Sequence, residues 1–253
     1  MEQVLAHSLA SDYLAYMFTS DNRIPAPDWV VSPGLSPYPQ TLAAMEAHVA
    51  GLIDGEAAEQ IWLVEHPPVI TAGTSAAAPD LVDAGRFPVV RAGRGGRYTY
   101  HGPGQRVVYP LLDLNRRGRD VRAYVEALER WAIAALGEFG VDAFLHEAGT
   151  GIWVRQGRGE RVAKIGAIGV RVRKWVAFHG LAINVSTNLS HFDTIIPCGI
   201  AELGVARLVD FAPSATMADL DQVLRRHPPS MLTSLTARRT AGGGPLEAGE
   251  DCR

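Results

Sequence analysis

Two adjacent stretches decide the fold: Arg161-Val162-Ala163-Lys164-Ile165-Gly166-Ala167-Ile168-Gly169-Val170-Arg171-Val172-Arg173 and, after Lys174, Trp175-Val176-Ala177-Phe178-His179-Gly180-Leu181-Ala182-Ile183-Asn184-Val185. Both are rich in β-branched and small residues. They read as two consecutive strands, at 161–173 and 175–185. Strict alternation would put Val162, Lys164, Gly166 and Ile168 on one face.

Further strands are expected on either side, at 61–66, 69–71, 98–101, 107–112, 141–146 and 151–155. Thr41 to Ile53 and Val121 to Phe139 carry apolar residues at helical spacing, with Thr41 as a candidate N-cap. Thr216 to Leu224 is a third helix. Strand runs interrupted by a few helices predict an α/β (α+β) single domain with a mixed sheet and flanking helices. The expected boundaries are an N-terminal extension over 1–39, a catalytic domain over 40–235 and a disordered tail over 236–253.

The composition is that of an ordinary globular chain: 253 residues, 47% hydrophobic and 20% charged, with net charge −3. No global field draws it to nucleic acid or a membrane surface. No apolar run reaches the length of a membrane span, and Met1 to Asn22 contains no Lys or Arg, so a cytoplasmic protein is expected. There is no CxxC pair, HExxH, P-loop or dinucleotide fingerprint. No metal or cofactor is therefore predicted.

Among 24 basic residues only Lys164 and Lys174 are lysines. Arginine cannot release its proton near neutral pH, whereas a desolvated lysine can. Lys164, flanked by small and apolar residues, is either a snorkelling strand-edge lysine or a proton carrier. Cys198, in Ile195-Ile196-Pro197-Cys198-Gly199-Ile200, is one of two cysteines. Alone it reads as a small buried hydrophobe or as a working thiol. Beside an ammonium it becomes a nucleophile with its own base.

The loop Arg94-Gly95-Gly96-Arg97-Tyr98-Thr99-Tyr100-His101 continues into Gly102-Pro103-Gly104-Gln105. Its glycines allow close backbone approach to a ligand, and Tyr100 and His101 are candidate pocket walls. His179 is a structural histidine or a rival base for Cys198.

Taken in order, VEHPPVITAG at 64–73, RGGRYTYHGPGQ, AKIGAIGVRV, FHGLAINV and IIPCGI resemble the lipoyl(octanoyl) transferases, also called octanoyl-[acyl-carrier-protein]–protein N-octanoyltransferases. The resemblance covers roughly residues 40–212. It implies a fold like that of biotin and lipoate protein ligases. It implies that Cys198 forms an acyl thioester and that Lys164 lowers the thiol pKa. Arg94 to His101, Ala167-Ile168-Gly169 and Gly180-Leu181-Ala182 would line the acyl site.

The implied partners are octanoyl-acyl carrier protein as donor, and lipoyl domains of 2-oxoacid dehydrogenase complexes and the glycine cleavage H protein as acceptors. A monomer is expected; Arg116, Arg117, Arg119 and Arg122 are a candidate patch for the acidic carrier, the alternative being a solvated loop and helix start. Three positions depart from the usual pattern. Val162 stands where a polar or basic residue is common, Ala167 where serine is common, and Arg97 where Gln or Lys is common. The rivals are an ATP-dependent ligase of the same fold, a non-catalytic acyl- or lipoyl-domain-binding module, and a cysteine hydrolase using His179.

Overall fold

The structure is a computed structural model that describes residues 25–157, 161–196 and 204–229. Cys198 and the tail from 236 lie outside the described residues. The main sheet runs in the order β1-β2-β6-β10-β9-β8-β7. Its strands are β1 (Asp28–Leu35), β2 (Gln60–Glu65), β6 (Gln105–Asp113), β7 (Ala143–Phe144), β8 (Ile152–Gln156), β9 (Arg161–Arg173) and β10 (Val176–Asn184). A short β11 (Gly204–Val205) adds to β9 in parallel. A second sheet, β4-β3-β5, is built from β3 (Val69–Ala72), β4 (Val89–Arg91) and β5 (Tyr98–His101). β1 runs parallel to β2, while β2, β6, β10, β9, β8 and β7 pair antiparallel. The mixed sheet expected from the sequence is thus present.

Alternation sorts the main sheet into two faces. Ile61, Leu63, Val108 and Leu112 pack with Leu128, Trp131 and Ala132 of α2 (Val121–Gly137) and with Leu220, Val223 and Leu224 of α3 (Met217–Arg226). Val64, Val107, Tyr109 and Leu111 face the opposite way, onto Met45 and Val49 of α1 (Tyr38–Asp54). The layers are therefore helix, sheet, helix.

The helix ends follow capping chemistry. Asp120 accepts from the amides of Arg122 and Ala123, and Thr216 forms a reciprocal capping box with Asp219. α1 starts three residues before its expected cap, after Pro37. Thr41 sits inside the first turn and donates its hydroxyl to the Pro37 carbonyl at 3.0 Å. Residues 28–35, assigned from sequence to the N-terminal extension, form the sheet's edge strand.

The alternation expected for β9 fails at one place. Ile152 pairs with Gly166 but Trp153 pairs with Lys164, so Ile165 is an extra residue in the ladder, a β-bulge. Ala163 and Ile165 face the α2/α3 side, and beyond the bulge Ile168, Val170 and Val172 do so too. Lys164 therefore shares its face with Ala167 and Gly169 rather than with Ile168. Those two small residues leave open space where Ile168 would fill it.

Candidate active site

The α1 side of this sheet forms a half-open cavity of about 270 Å³. Its wall includes Arg94, Gly96, Arg97, Tyr98, Thr99 and His101 from the glycine loop. Lys164, Ala167, Ile168 and Gly169 come from β9, and Gly180, Leu181 and Ala182 from β10. Two residues of the predicted set stand elsewhere. Tyr100 is fully buried in a separate cluster with Ile70, Phe192 and Ile195, its hydroxyl 2.7 Å from His191 Nδ1. Gly95 does not border the cavity; its amide donates to Val170 O at 2.9 Å. The reading missed Tyr38, Val107, Tyr109 and the turn Ala148-Gly149-Thr150, all of which line the cavity. Glycines 149 and 151 were the available signal for that turn.

Arg94 borders the cavity and also organises the loop that carries it. Nη1 donates to Gly95 O at 2.9 Å and Arg97 O at 3.0 Å, and Nη2 to Thr71 O at 2.8 Å and Thr71 Oγ1 at 2.6 Å. The glycine loop is wrapped around a buried guanidinium. Gly73 and Gly169 let the backbone approach it, since a Cβ would stand 2.7 Å from Nη1 and 2.9 Å from Cδ respectively. Arg97 pairs with Asp80 at 2.9 Å, and the Asp80 carbonyl accepts the Ile196 amide at 2.8 Å. The loop and the entry to the Cys198 segment are thereby tied together. At the exit from that segment, Gly204 and Val205 pair with Ala163 and Lys164, and Ala206 N donates to Lys164 O at 3.0 Å.

Lys164 is 7% exposed. Its Nζ donates to Thr150 O at 3.0 Å and lies 4.6 Å from the centre of the Trp153 ring. A carbonyl and a π face both favour an ammonium, and both hold it in place. Gly151, at φ +142°, completes the enclosure: a Cβ there would meet Lys164 Nζ and Gly166 O, each at 2.9 Å.

Three buried histidines stand at or beside the cavity. His66 Nδ1 donates to Ser36 O at 2.6 Å, and its Nε2 lies 2.8 Å from the Tyr109 hydroxyl. His101 Nδ1 lies 2.6 Å from Gln105 Oε1. Burial pushes His66 down to about 4, and holds His101 well below the usual histidine range with help from the neighbouring His66. His179 goes down to about 3 through burial, with the Arg94 and Arg171 charges adding to it. A neutral imidazole of that basicity is a poor acceptor for a thiol proton, which weakens the Cys198/His179 pairing.

His179 also holds φ +59°, a left-handed backbone, opposite the part of β6 where Pro110 offers no N–H. Each histidine binds a proton more readily in the unfolded chain, near 6.5, than in the fold. Stability is therefore complete above that pH and falls as pH drops toward 4. His66 and His179 should each cost about 2 kcal/mol by pH 5. Urea denaturation at pH 7 and pH 5 checks this, and His66→Gln should flatten the slope.

The expected carrier-binding patch loses a member. Arg117 is 1% exposed, and its guanidinium forms a bidentate pair with Glu59, Nη2 lying 2.6 Å from Oε2. Only Arg116, Arg119 and Arg122 remain exposed there, and Arg119 is bonded to Asn115 at 2.8 Å. No group of three or more His, Cys, Asp or Glu among the described residues is arranged to hold a metal.

The family model described as the lipoyl protein ligase A/B catalytic domain matches residues 37–227. The octanoyltransferase of Rhizorhabdus wittichii is 58% identical over 208 residues, covering 82% of this chain and 92% of the relative. That of Cereibacter sphaeroides is 59% identical over 208 residues, covering 79% and 95%. The chain belongs to the octanoyltransferases of this family.

It is accordingly an acyltransferase of protein lipoylation. The lipoate-ligase fold is seen directly in two solved structures. Lipoate-protein ligase A bound with ATP superposes with a TM-score of 0.62 at 18% identity, over 82% of this chain and 85% of that one. The bi-partite lipoate protein ligase of Thermoplasma acidophilum gives 0.61 at 17%, over 82% and 84%. Among the described residues of this octanoyltransferase-family chain, no helix is long and apolar enough to cross a membrane.

Proposed function

We propose that the enzyme takes an octanoyl group from octanoyl-acyl carrier protein onto Cys198 and passes it to a lysine of a lipoyl domain. The observation that carries this reading is the buried, doubly held Lys164 on the wall of a half-open cavity. Support for the pairing with Cys198 comes from the chain on either side of it. Ile196 is bonded to Asp80, and the backbone resumes at Gly204 in register with Ala163.

The thiolate of Cys198 attacks the donor thioester carbonyl. The carbon–sulfur bond to the pantetheine arm breaks, and Lys164 gives its proton to the departing thiolate. The acceptor amine then attacks the Cys198 thioester. The amide forms, the Cys198 thiolate leaves, and Lys164 takes the proton shed by nitrogen. Lys164 thus ends each cycle as it began. Thioester to thioester to amide runs downhill, so no nucleotide is required.

The neutral histidines suit the same task. His101 and His179, which border the cavity, add polar wall without placing a charge beside an acyl chain. Arg116, Arg119 and Arg122 are retained as the receiving face for the acidic carrier, now without Arg117. Intact-mass analysis after mixing with octanoyl-acyl carrier protein, without ATP, should show one octanoyl adduct on the wild type and none on Cys198→Ala. An adduct that requires ATP, or one that survives Cys198→Ala, would refute the proposal.

A further inference from the structure

Lys164 is not held by the Thr150 carbonyl alone. The peptide group joining Thr150 to Gly151 carries that carbonyl on one edge and the Gly151 N–H on the other. The N–H donates to Glu129 Oε1 at 3.0 Å, while the carbonyl accepts Lys164 Nζ at 3.0 Å. We propose that Glu129, on α2 and outside the cavity wall, is a positioning residue that sets the Lys164 ammonium through this single peptide group. The inference rests on the reading that Lys164 carries the proton.

The physics is that of a polarised hydrogen-bond chain. A trans peptide is planar and its two polar bonds point in opposite directions, so a carboxylate on the N–H side draws electron density toward the carbonyl oxygen. That oxygen becomes a better acceptor for an ammonium. The chain Glu129 carboxylate, Gly151 N–H, Thr150 C=O, Lys164 ammonium places an anion and a cation at the two ends of one amide.

The local sequence is built for this geometry. Gly151 holds φ +142°, which other residues rarely adopt, and leaves no room for a Cβ beside Nζ. Trp153 closes the far side with its ring, and its own indole N–H donates to Gly149 O at 3.2 Å, fixing the same turn a second time. The turn is thus anchored to helix α2 at one point and to strand β8 at another. The peptide that meets Lys164 lies between the two anchors.

A residue acting only through Lys164 should change turnover rather than binding, and its effect should vanish when Lys164 is gone. Glu129→Ala is expected to lower the rate of octanoyl-enzyme formation about tenfold at saturating octanoyl-acyl carrier protein, with KM for the carrier unchanged. Glu129→Gln keeps the reach and loses the charge, and should retain about a third of the wild-type rate. Glu129→Asp keeps the charge and loses the reach, and should behave like Glu129→Ala.

In a Lys164→Ala background, Glu129→Ala should add no further loss. Thermal midpoints accompany each variant, and Glu129→Gln serves if Glu129→Ala does not fold. Losses that multiply in the double variant, a rise in KM, or wild-type rates for both Glu129→Gln and Glu129→Asp would overturn the inference. A Lys164→Ala single variant with full rate would instead overturn the reading beneath it, so the two failures are distinguishable.

Discussion

Lys164→Arg is expected to slow octanoyl transfer by about 10²- to 10⁴-fold, the range a positioned proton carrier supplies. Arginine keeps the positive charge, so any role of Lys164 as a fixed cation would survive the change. It cannot cycle a proton near neutral pH, so a role in moving one would not. The geometry adds a second penalty. The ammonium sits between the Thr150 carbonyl, the Trp153 ring and the space vacated by a Cβ at Gly151, and a planar guanidinium on a longer stem does not fit there. Single-turnover measurements should show both half-reactions slowed, formation of the octanoyl-enzyme and its transfer to an acceptor lysine. A Lys164→Arg enzyme with an unchanged rate in either half would remove lysine from that step.

Glu59→Ala is expected to destabilise the fold by about 3–5 kcal/mol. Glu59 and Arg117 are both buried, and the carboxylate accepts both terminal nitrogens of the guanidinium. It also accepts the Asp113 amide at 2.8 Å, so it joins the end of β6 to the segment before α2. Removing it leaves a guanidinium with 1% exposure inside the protein, without its counter-charge. Urea denaturation gives the loss directly. Replacing both partners by apolar residues of similar volume should recover much of it, because the desolvation cost then disappears from both sides. A Glu59→Ala loss below about 1 kcal/mol would place the pair with ordinary surface bridges.

The periodic parts of the chain were legible without coordinates. β2, β6 and β10 follow from β-branched residues between turn signals, and α2 from its apolar stripe, because those patterns are local. The cavity wall was legible where glycines cluster, in the 94–101 loop and around Gly169 and Gly180, since close approach leaves a mark in composition. What escaped depends on partners far along the chain. Arg117 looked like one of a surface cluster until Glu59, 58 residues earlier, took it inside. Arg94 was expected only as part of the acyl-site lining, yet its two terminal nitrogens are taken by Thr71 and by carbonyls of its own loop. Tyr100 shares a strand with three cavity residues yet belongs to a different cluster. Glu129 is an unremarkable helical carboxylate in sequence, and only its distance to Gly151 gives it a task. The edge strand 28–35 was overlooked because its Pro33-Gly34 pair reads as a turn rather than as the irregularity where its register shifts.

The bulge at Ile165 has a consequence for how this site tolerates change in length. Beyond it, every side chain of β9 is on the opposite face from the one that counting by twos assigns. Deleting one residue there would alter no functional group, yet it would turn Ile168 and Val170 into the space now bordered by Ala167 and Gly169. The hollow is kept open by an odd residue count between Lys164 and the end of the strand. Deleting Ile165 itself, or inserting one residue beside it, should therefore abolish acyl accommodation even where every substitution of Ile165 by another aliphatic is harmless.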